Sequence, residues 1–251
     1  MQSAEIQIVP LPGLPEIAAG DDIAMAICQA IEATTVKPIA GDLFVVAHKI
    51  ISKAEGRIVD LDSVNPSTTA RNWAVESGKD PRLVELILSE TRRVVRKGRG
   101  ILIVETHHGL VCANAGVDVS NCPLGTALLL PRAPDNSARR LKHALDAAFG
   151  VPIGVIISDT FGRPWREGLV NVAIGVAGIG PLKDYRGQRD VFGRTLQASV
   201  LAVADELASA AELVMGKAER IPVAMIRGCD VGATGGAASE LIRPPERDLF
   251  R

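Results

Sequence analysis

GVIISDTFGRPWREG, Gly154 to Gly168, is the stretch on which the reading of the whole chain turns. Val155-Ile156-Ile157 is a short β-branched run, the pattern of a strand buried on both faces. It gives way to Ser158-Asp159-Thr160. A carboxylate and a hydroxyl are thus expected at the end of a buried strand, where ligands bind in open α/β sheets. Arg163 and Arg166 follow, close to Pro164 and Trp165. Together these groups suit a metal-bound polyphosphate, the carboxylate taking Mg²⁺ or Mn²⁺ and the arginines taking phosphate oxygens. They equally suit a turn nucleated by Asp159 and Thr160 with a solvated arginine rim.

Working outward, short apolar runs mark further strands at 6–9, 42–47, 101–105, 110–113, 126–130, 171–176 and 222–227. Asp21 or Asp22 can cap a helix running to about Thr35, with Ile23, Ala26, Ile27 and Ile31 on one face. Asn65-Pro66-Ser67 opens a helix to about Ser77, and Asp80-Pro81 opens another to about Val95. Helices are also expected from Ser137 to Phe149 and from Gly193 to Met215, the latter the longest. His48, Lys49 and Lys53 follow the strand at 42–47 and suit either phosphate contacts or a solvated rim. His107-His108-Gly109 reads as a hairpin tip rather than a metal site, because neighbouring side chains in extended chain diverge. NAGVDVSN, 114–121, places Asp118 after a strand as a second candidate metal carboxylate. The tail from Gly232 is Gly/Ala-rich and then polar, a composition that leaves its order in doubt.

Composition narrows the classes. The 251 residues are 47% hydrophobic but only 3% aromatic, so the core must be aliphatic. A formal net charge of −1, from 28 basic and 29 acidic residues, makes no case for nucleic-acid or membrane-surface binding. Cys28, Cys112, Cys122 and Cys229 show no zinc-like spacing and read as small buried residues in a reducing compartment. The first residues lack a basic region followed by a long apolar one, and no apolar run is long enough to span a bilayer. The expectation is a soluble, cytoplasmic, mixed α/β protein of a single domain over 1–251.

No G-x-x-x-x-G-K-[ST] is present, and Gly175–Gly180 is glycine-rich without being G-x-G-x-x-G. No G-x-S-x-G elbow appears. Six separated segments do form a recognisable set: GLPEI (13–17), ISKAEGR (51–57), NAGVDVSN (114–121), ISDTFGRPWREG (157–168), KDYRGQRDVFGR (183–194) and VADELASAAELVMGK (203–217). In this order they resemble the coenzyme F420-0:L-glutamate ligase family, over nearly the whole chain to about Arg227.

That resemblance implies a GTP-dependent ligase that attaches L-glutamate to the lactyl-phosphate end of the deazaflavin precursor F420-0, with later glutamates joined through γ-carboxyls. It implies phosphorylation of the substrate carboxylate and then attack by the glutamate amine. It implies Mg²⁺ or Mn²⁺, with potassium as a further ion, and a mixed α/β fold assembled as an intertwined homodimer. Carried onto this sequence, Asp118 and Asp159 match metal-binding aspartates and Thr160 a second-metal contact. Leu14, Pro15, Glu16 and Ile17 match a nucleotide-contacting loop, and His48, Lys49, Lys53 and Asn121 match further nucleotide contacts.

Two positions depart from the family pattern. His48 stands where a small hydroxyl residue is expected, and Lys217 stands where archaeal members carry an acidic residue near the second metal. Two other readings stay open: an acyl-phosphate ligase for a different carboxylate, and a non-catalytic GTP- or deazaflavin-binding protein.

Overall fold

A computed structural model describes residues 5–231 and 235–249. β1 (Gln7–Pro10) comes first. α1 (Ile23–Glu32) begins where the Asp22 carboxylate accepts the Met25 N–H at 3.0 Å. β2 (Leu43–Ala47) leads directly into α2 (His48–Ala54). Next come β3 (Ile58–Asp60), α3 (Thr68–Ser77), α4 (Pro81–Ser89), β4 (Thr91–Gly98), β5 (Ile101–Thr106), β6 (Val111–Ala113) and β7 (Thr126–Leu128). α5 (Pro134–Phe149) precedes the long hairpin of β8 (Gly154–Arg163) and β9 (Arg166–Ala177). β10 (Lys183–Asp184), β11 (Val200–Leu201), α6 (Val203–Met215) and β12 (Val223–Arg227) complete the order.

The main sheet has the strand order β1-β12-β2-β8-β9, with β2 and β8 parallel and every other pair antiparallel. Side chains alternate across it as strand geometry requires. Phe44, Val46, Val155 and Ile157 pack under α1, α2 and α5, while Leu43, Val45 and Ile156 pack under α6. Both faces are therefore covered, which is why these strands read as unbroken apolar runs. The core is aliphatic, as the composition requires. The stretch between β2 and β8 builds a second layer, with the sheet β4-β5-β6 and helices α3 and α4 closing over Ile87, Leu102 and Val104. Buried Arg57 ties the layers together, donating to the Leu130 carbonyl at 2.9 Å and to Glu90 at 2.8 Å.

Several expectations need correction. The helix from Asp80 ends at Ser89, and 91–98 is strand β4. Its Val94 and Val95 are β-branched, and pairing with β5 overrides the helix propensity of the neighbouring arginines. The last long helix begins at Val203, not Gly193; residues before it form turns and β11, and the longest helix is α5. β8 does not stop at Ser158 but runs to Arg163, so Asp159 lies within a strand. Of the tail expected to start at Gly232, residues 232–234 lie outside the described residues. Ala238 is buried, and its N–H donates to Asp135 at 3.0 Å. Among the described residues no helix is long and apolar enough to cross a membrane.

At Gly175 the backbone of β9 comes up against the start of α5. A Cβ on Gly175 would lie 2.6 Å from the carbonyl carbon and oxygen of Pro134, both backbone atoms. Gly175→Ala is accordingly expected to lose about 1–3 kcal/mol of stability, the usual cost of overpacking. Urea unfolding checks this; a wild-type midpoint would contradict the close approach.

Candidate active site

Five chain segments converge beyond one end of the central strands. β2 ends at Ala47, and α2 turns away at once, carrying His48, Lys49 and Lys53. Beside it β8 carries the buried Ser158 and then the half-buried Asp159 and Thr160 to the cleft. The loop after β1 is anchored by two buried residues, Leu11 and Ile17, so Leu14, Pro15 and Glu16 sit at the rim between fixed points. The loop between α6 and β12 brings Lys217 and Arg220, and the segment after β6 brings Asp118 and Asn121. These residues line a single cleft of about 990 Å³. Every residue that the family resemblance marks for metal or nucleotide is on its wall: Leu14, Pro15, Glu16, Ile17, His48, Lys49, Lys53, Asp118, Asn121, Asp159 and Thr160.

Arg163 and Arg166 are not on that wall. They sit at the far tip of the β8–β9 hairpin, where Arg163 donates to the Glu167 carbonyl at 2.6 Å and so closes the turn. The continuation of β8 carries them away from the cleft, and the rim reading is the correct one for this pair. His107 and His108 also prove to be turn residues, each facing a different backbone carbonyl, Ser89 and Pro131.

Strand alternation sorts the β8 side chains onto two faces. Asp159 Oδ1 is 3.2 Å from His48 Nε2 and accepts the Thr160 N–H at 2.7 Å. Thr160 belongs to the other face: its hydroxyl donates to Asn171 Oδ1 at 2.7 Å and accepts from Lys217 Nζ at 2.7 Å. Asn171 in turn donates to Glu212 Oε2 at 2.8 Å, and Lys217 is 2.7 Å from Glu212 Oε1. Across the cleft Lys49 Nζ donates to Asp118 Oδ2 and Ser120 Oγ, each at 2.6 Å, and Lys53 pairs with Glu16. Each carboxylate named here thus faces a nitrogen base or cation of the same cleft.

Sequence reasoning missed Asn171, Glu212 and Ser52. Asn171 had a signal, being an amide inside the apolar run LVNVAIGV. Ser52 stands one helical turn after His48, the spacing that puts two side chains on one face. Glu212 lay in an expected helix and looked like any exposed helical charge.

Two of the displaced titrating groups bear on this site. Burial, with a smaller contribution from the Asp159 charge, pushes the Cys112 thiol up to about 12, so this sulfur stays protonated and is no nucleophile. Partial burial raises the Asp118 carboxyl, but the Lys49 hydrogen bond and charge and the Ser120 bonds outweigh it, and the net direction is down.

Asp118 and Asp159 supply hard carboxylate oxygens, the donors Mg²⁺ and Mn²⁺ take when one or two carboxylates share the ion with phosphate and water. Among the described residues no group of three or more His, Cys, Asp or Glu forms an all-protein cage.

The family model described as F420-0:Gamma-glutamyl ligase matches residues 13–228. The chain is 48% identical over 249 residues to the coenzyme F420:L-glutamate ligase of Methanothermobacter thermautotrophicus, covering 98% of this chain and 99% of that one. The protein of the same name from Methanopyrus kandleri is 46% identical, covering 98% of each chain. That from Archaeoglobus fulgidus is 40% identical, covering 98% of this chain and 96% of its own.

The Asp118 pair offers a direct electrostatic test. A carboxyl lowered in the folded state adds stability above its unfolded pKa, about 3.9. That stability is lost as pH falls through the folded value. Lys49→Met removes the main lowering partner and keeps the burial, so the Asp118 midpoint is expected to rise. Carboxyl carbon NMR across an acid titration measures it; an unmoved midpoint would show that Lys49 does not set the shift.

Proposed function

Because the chain belongs to the F420-0:gamma-glutamyl ligase family, we propose that it is a GTP-dependent ligase joining L-glutamate to F420-0, and γ-linked glutamate to the product. The observation that carries this reading is the meeting of Asp118 and Asp159, from distant segments, with Lys49 and Lys53 in one cleft.

The chemistry asks for such an arrangement. The F420-0 carboxylate attacks the γ-phosphorus of GTP and GDP leaves, giving an acyl phosphate. The glutamate amine then attacks the acyl carbon, phosphate departs, and the amine loses a proton. The first step brings one anion to another, so phosphate charge must be neutralised and the reactants held in line. Lys49 and Lys53 are placed to exchange their carboxylate partners for phosphate oxygens. That exchange frees Asp118 for the ion, and Asp118 with Asp159 would hold Mg²⁺ or Mn²⁺; Thr160 would meet a further ion only once Lys217 releases its hydroxyl. A bound divalent ion supplies charge neutralisation and alignment of the phosphates. Leu14 to Ile17, the start of α2 at His48, and Asn121 form the remaining nucleotide wall; Asn121 presents a donor and an acceptor that suit a base or ribose edge. Potassium remains a candidate for additional phosphate neutralisation, and the cytoplasm is the compartment that free thiols suit.

Asp159→Asn separates this reading from a purely structural one. Asn keeps the shape and an acceptor oxygen but not the charge. Turnover is expected to fall a hundred-fold or more, on the order of 3 kcal/mol, at an unchanged unfolding temperature. Mass spectrometry of F420-0 incubated with GTP or ATP, L-glutamate and Mn²⁺ counts the glutamates added. Near-normal ligation by the variant would remove Asp159 from the mechanism, and equal use of ATP would remove the GTP assignment.

A homodimer is the assembly we propose. Trp165 and Leu169 on the β8–β9 hairpin, and Val191 and Phe192 on the β10–β11 connection, are large apolar side chains left exposed. Apolar protrusions of that kind suit burial against a second copy. Light scattering at micromolar concentration is expected to give about twice the chain mass of 26.5 kDa; a particle of chain mass would overturn the dimer.

A further inference from the structure

We propose that His48 positions Asp159, pinning one carboxylate oxygen so that the other is left for a ligand; the proposal rests on Asp159 being a metal-binding carboxylate. His48 is only 2% exposed and Ser52 is fully buried. The imidazole lies between two partners, Nε2 at 3.2 Å from Asp159 Oδ1 and Nδ1 at 3.3 Å from Ser52 Oγ. An ionised carboxylate only accepts, so Nε2 must carry the hydrogen. In the neutral ring Nδ1 is then an acceptor, and the Ser52 hydroxyl is the donor that fills it. Ser52 sits one turn further along α2, whose neighbours Ile50 and Ile51 are buried in the core. The ring is thereby fixed in tautomer and in orientation by a helix that packing holds against the sheet.

The effect falls on Asp159. Its Oδ1 receives two donors, His48 Nε2–H and the Thr160 N–H. Its Oδ2 has no hydrogen-bond partner among the described residues. One oxygen is therefore held from both sides while the other keeps its lone pairs for an incoming group. Donors of this kind, bonded to a ligating side chain rather than to the ion, set its rotamer and commonly govern metal affinity by about 10–100-fold. With both ring nitrogens engaged and the ring buried, His48 acts through Asp159 and not by its own ring on the nucleotide.

Three variants of the full chain test this. His48→Leu fills the volume without a donor, His48→Gln restores a side-chain N–H, and Ser52→Ala removes the hydroxyl that fixes the tautomer. Mn²⁺ titration followed by electron paramagnetic resonance, with thermal unfolding in parallel, is the first readout. His48→Leu is expected to bind Mn²⁺ about ten-fold or more weakly, with His48→Gln recovering most of the loss and Ser52→Ala lying between. Equal affinity in His48→Leu and wild type would overturn the proposal, as would equal loss in Leu and Gln, which would indicate packing alone.

The second readout needs no metal. Imidazole ¹⁵N spectra are expected to show His48 as the Nε2–H form, with its resonances moved by Asp159→Asn. An Nδ1–H form, or resonances untouched by that substitution, would overturn the proposal even in a chain that fails to bind Mn²⁺. If Asp159→Asn leaves Mn²⁺ affinity unchanged, the metal reading of Asp159 falls instead, and the ¹⁵N spectra alone then decide whether His48 holds this carboxylate.

Discussion

The parallel pairing of β2 with β8 is the constraint on which the rest of the architecture depends. Ala47 lies opposite Ser158, so two strands buried on both faces lose their cover at the same level. Because they run in the same direction, the residues after Ala47 and after Ser158 emerge at the same edge of the sheet; in an antiparallel pair His48 and Asp159 would be a strand length apart. β12 is antiparallel to β2 with Val223 opposite Val46, so the loop that precedes β12 arrives at this edge with Lys217 and Arg220. β1 pairs with β12 so that Pro10 meets Ala224, and the loop carrying Leu14 to Ile17 is delivered there as well. The cleft is thus the place where strand directions bring chemistry-bearing segments together, as in other sheets whose ligands bind beyond the carboxyl ends of parallel strands.

Within that frame the alternation of β8 divides the site into halves of different character. On one face Asp159 meets a buried imidazole backed by a buried hydroxyl. On the other, Thr160, Asn171 and Glu212 surround the Lys217 ammonium with oxygen acceptors. The first half holds a single carboxylate with an imidazole donor, whereas the second pairs a carboxylate with an ammonium. A cationic side chain cannot ligate a metal ion, and here it occupies the very oxygens that would otherwise attract one. The asymmetry arises from one backbone step, since neighbouring residues in a strand cannot point the same way.

Much of this was legible in the sequence, and the parts that were not share a physical reason. The buried strands declared themselves through β-branched runs, and α1, α3 and α4 through the Asp22, Ser67 and Asp80 caps that the structure shows bonded. Asp118, Asp159, Lys49 and Lys53 were singled out by residue type and motif before any geometry was known. The errors fall where a local pattern competes with a distant partner. Residues 91–98 look helical until β5 supplies hydrogen bonds, and 193–201 looks like the start of α6 until the pairing of β11 with β10 is seen. The two readings of Arg163 and Arg166 stay open in the sequence because nothing local announces that β8 and β9 continue as a hairpin. The Asn171–Glu212 bond joins residues far apart in the chain, and no spacing rule reaches that distance.

The continuation of β8 changes what its carboxylate can do. A side chain at a strand end can follow a mobile loop, but Asp159 is paired with Val172 of β9, one step beyond the last β2–β8 pair, Ala47–Ser158. Its backbone is held by the sheet ladder and its Oδ1 by two donors. Any adjustment to a bound nucleotide must therefore come from the loops that face it. Two of those loops carry non-glycine residues in the left-handed region, Asn121 at φ 55° and Arg220 at φ 59°. That conformation is uncommon for L-residues, least so for Asn. The site pairs a rigid floor, fixed by strand pairing, with walls in which the backbone is already displaced from its lowest-energy form. Asp159 belongs to the floor, where the octahedral site proposed for it would tolerate least movement. Asn121 belongs to the walls, where a local change of loop conformation alters the cleft without disturbing the sheet.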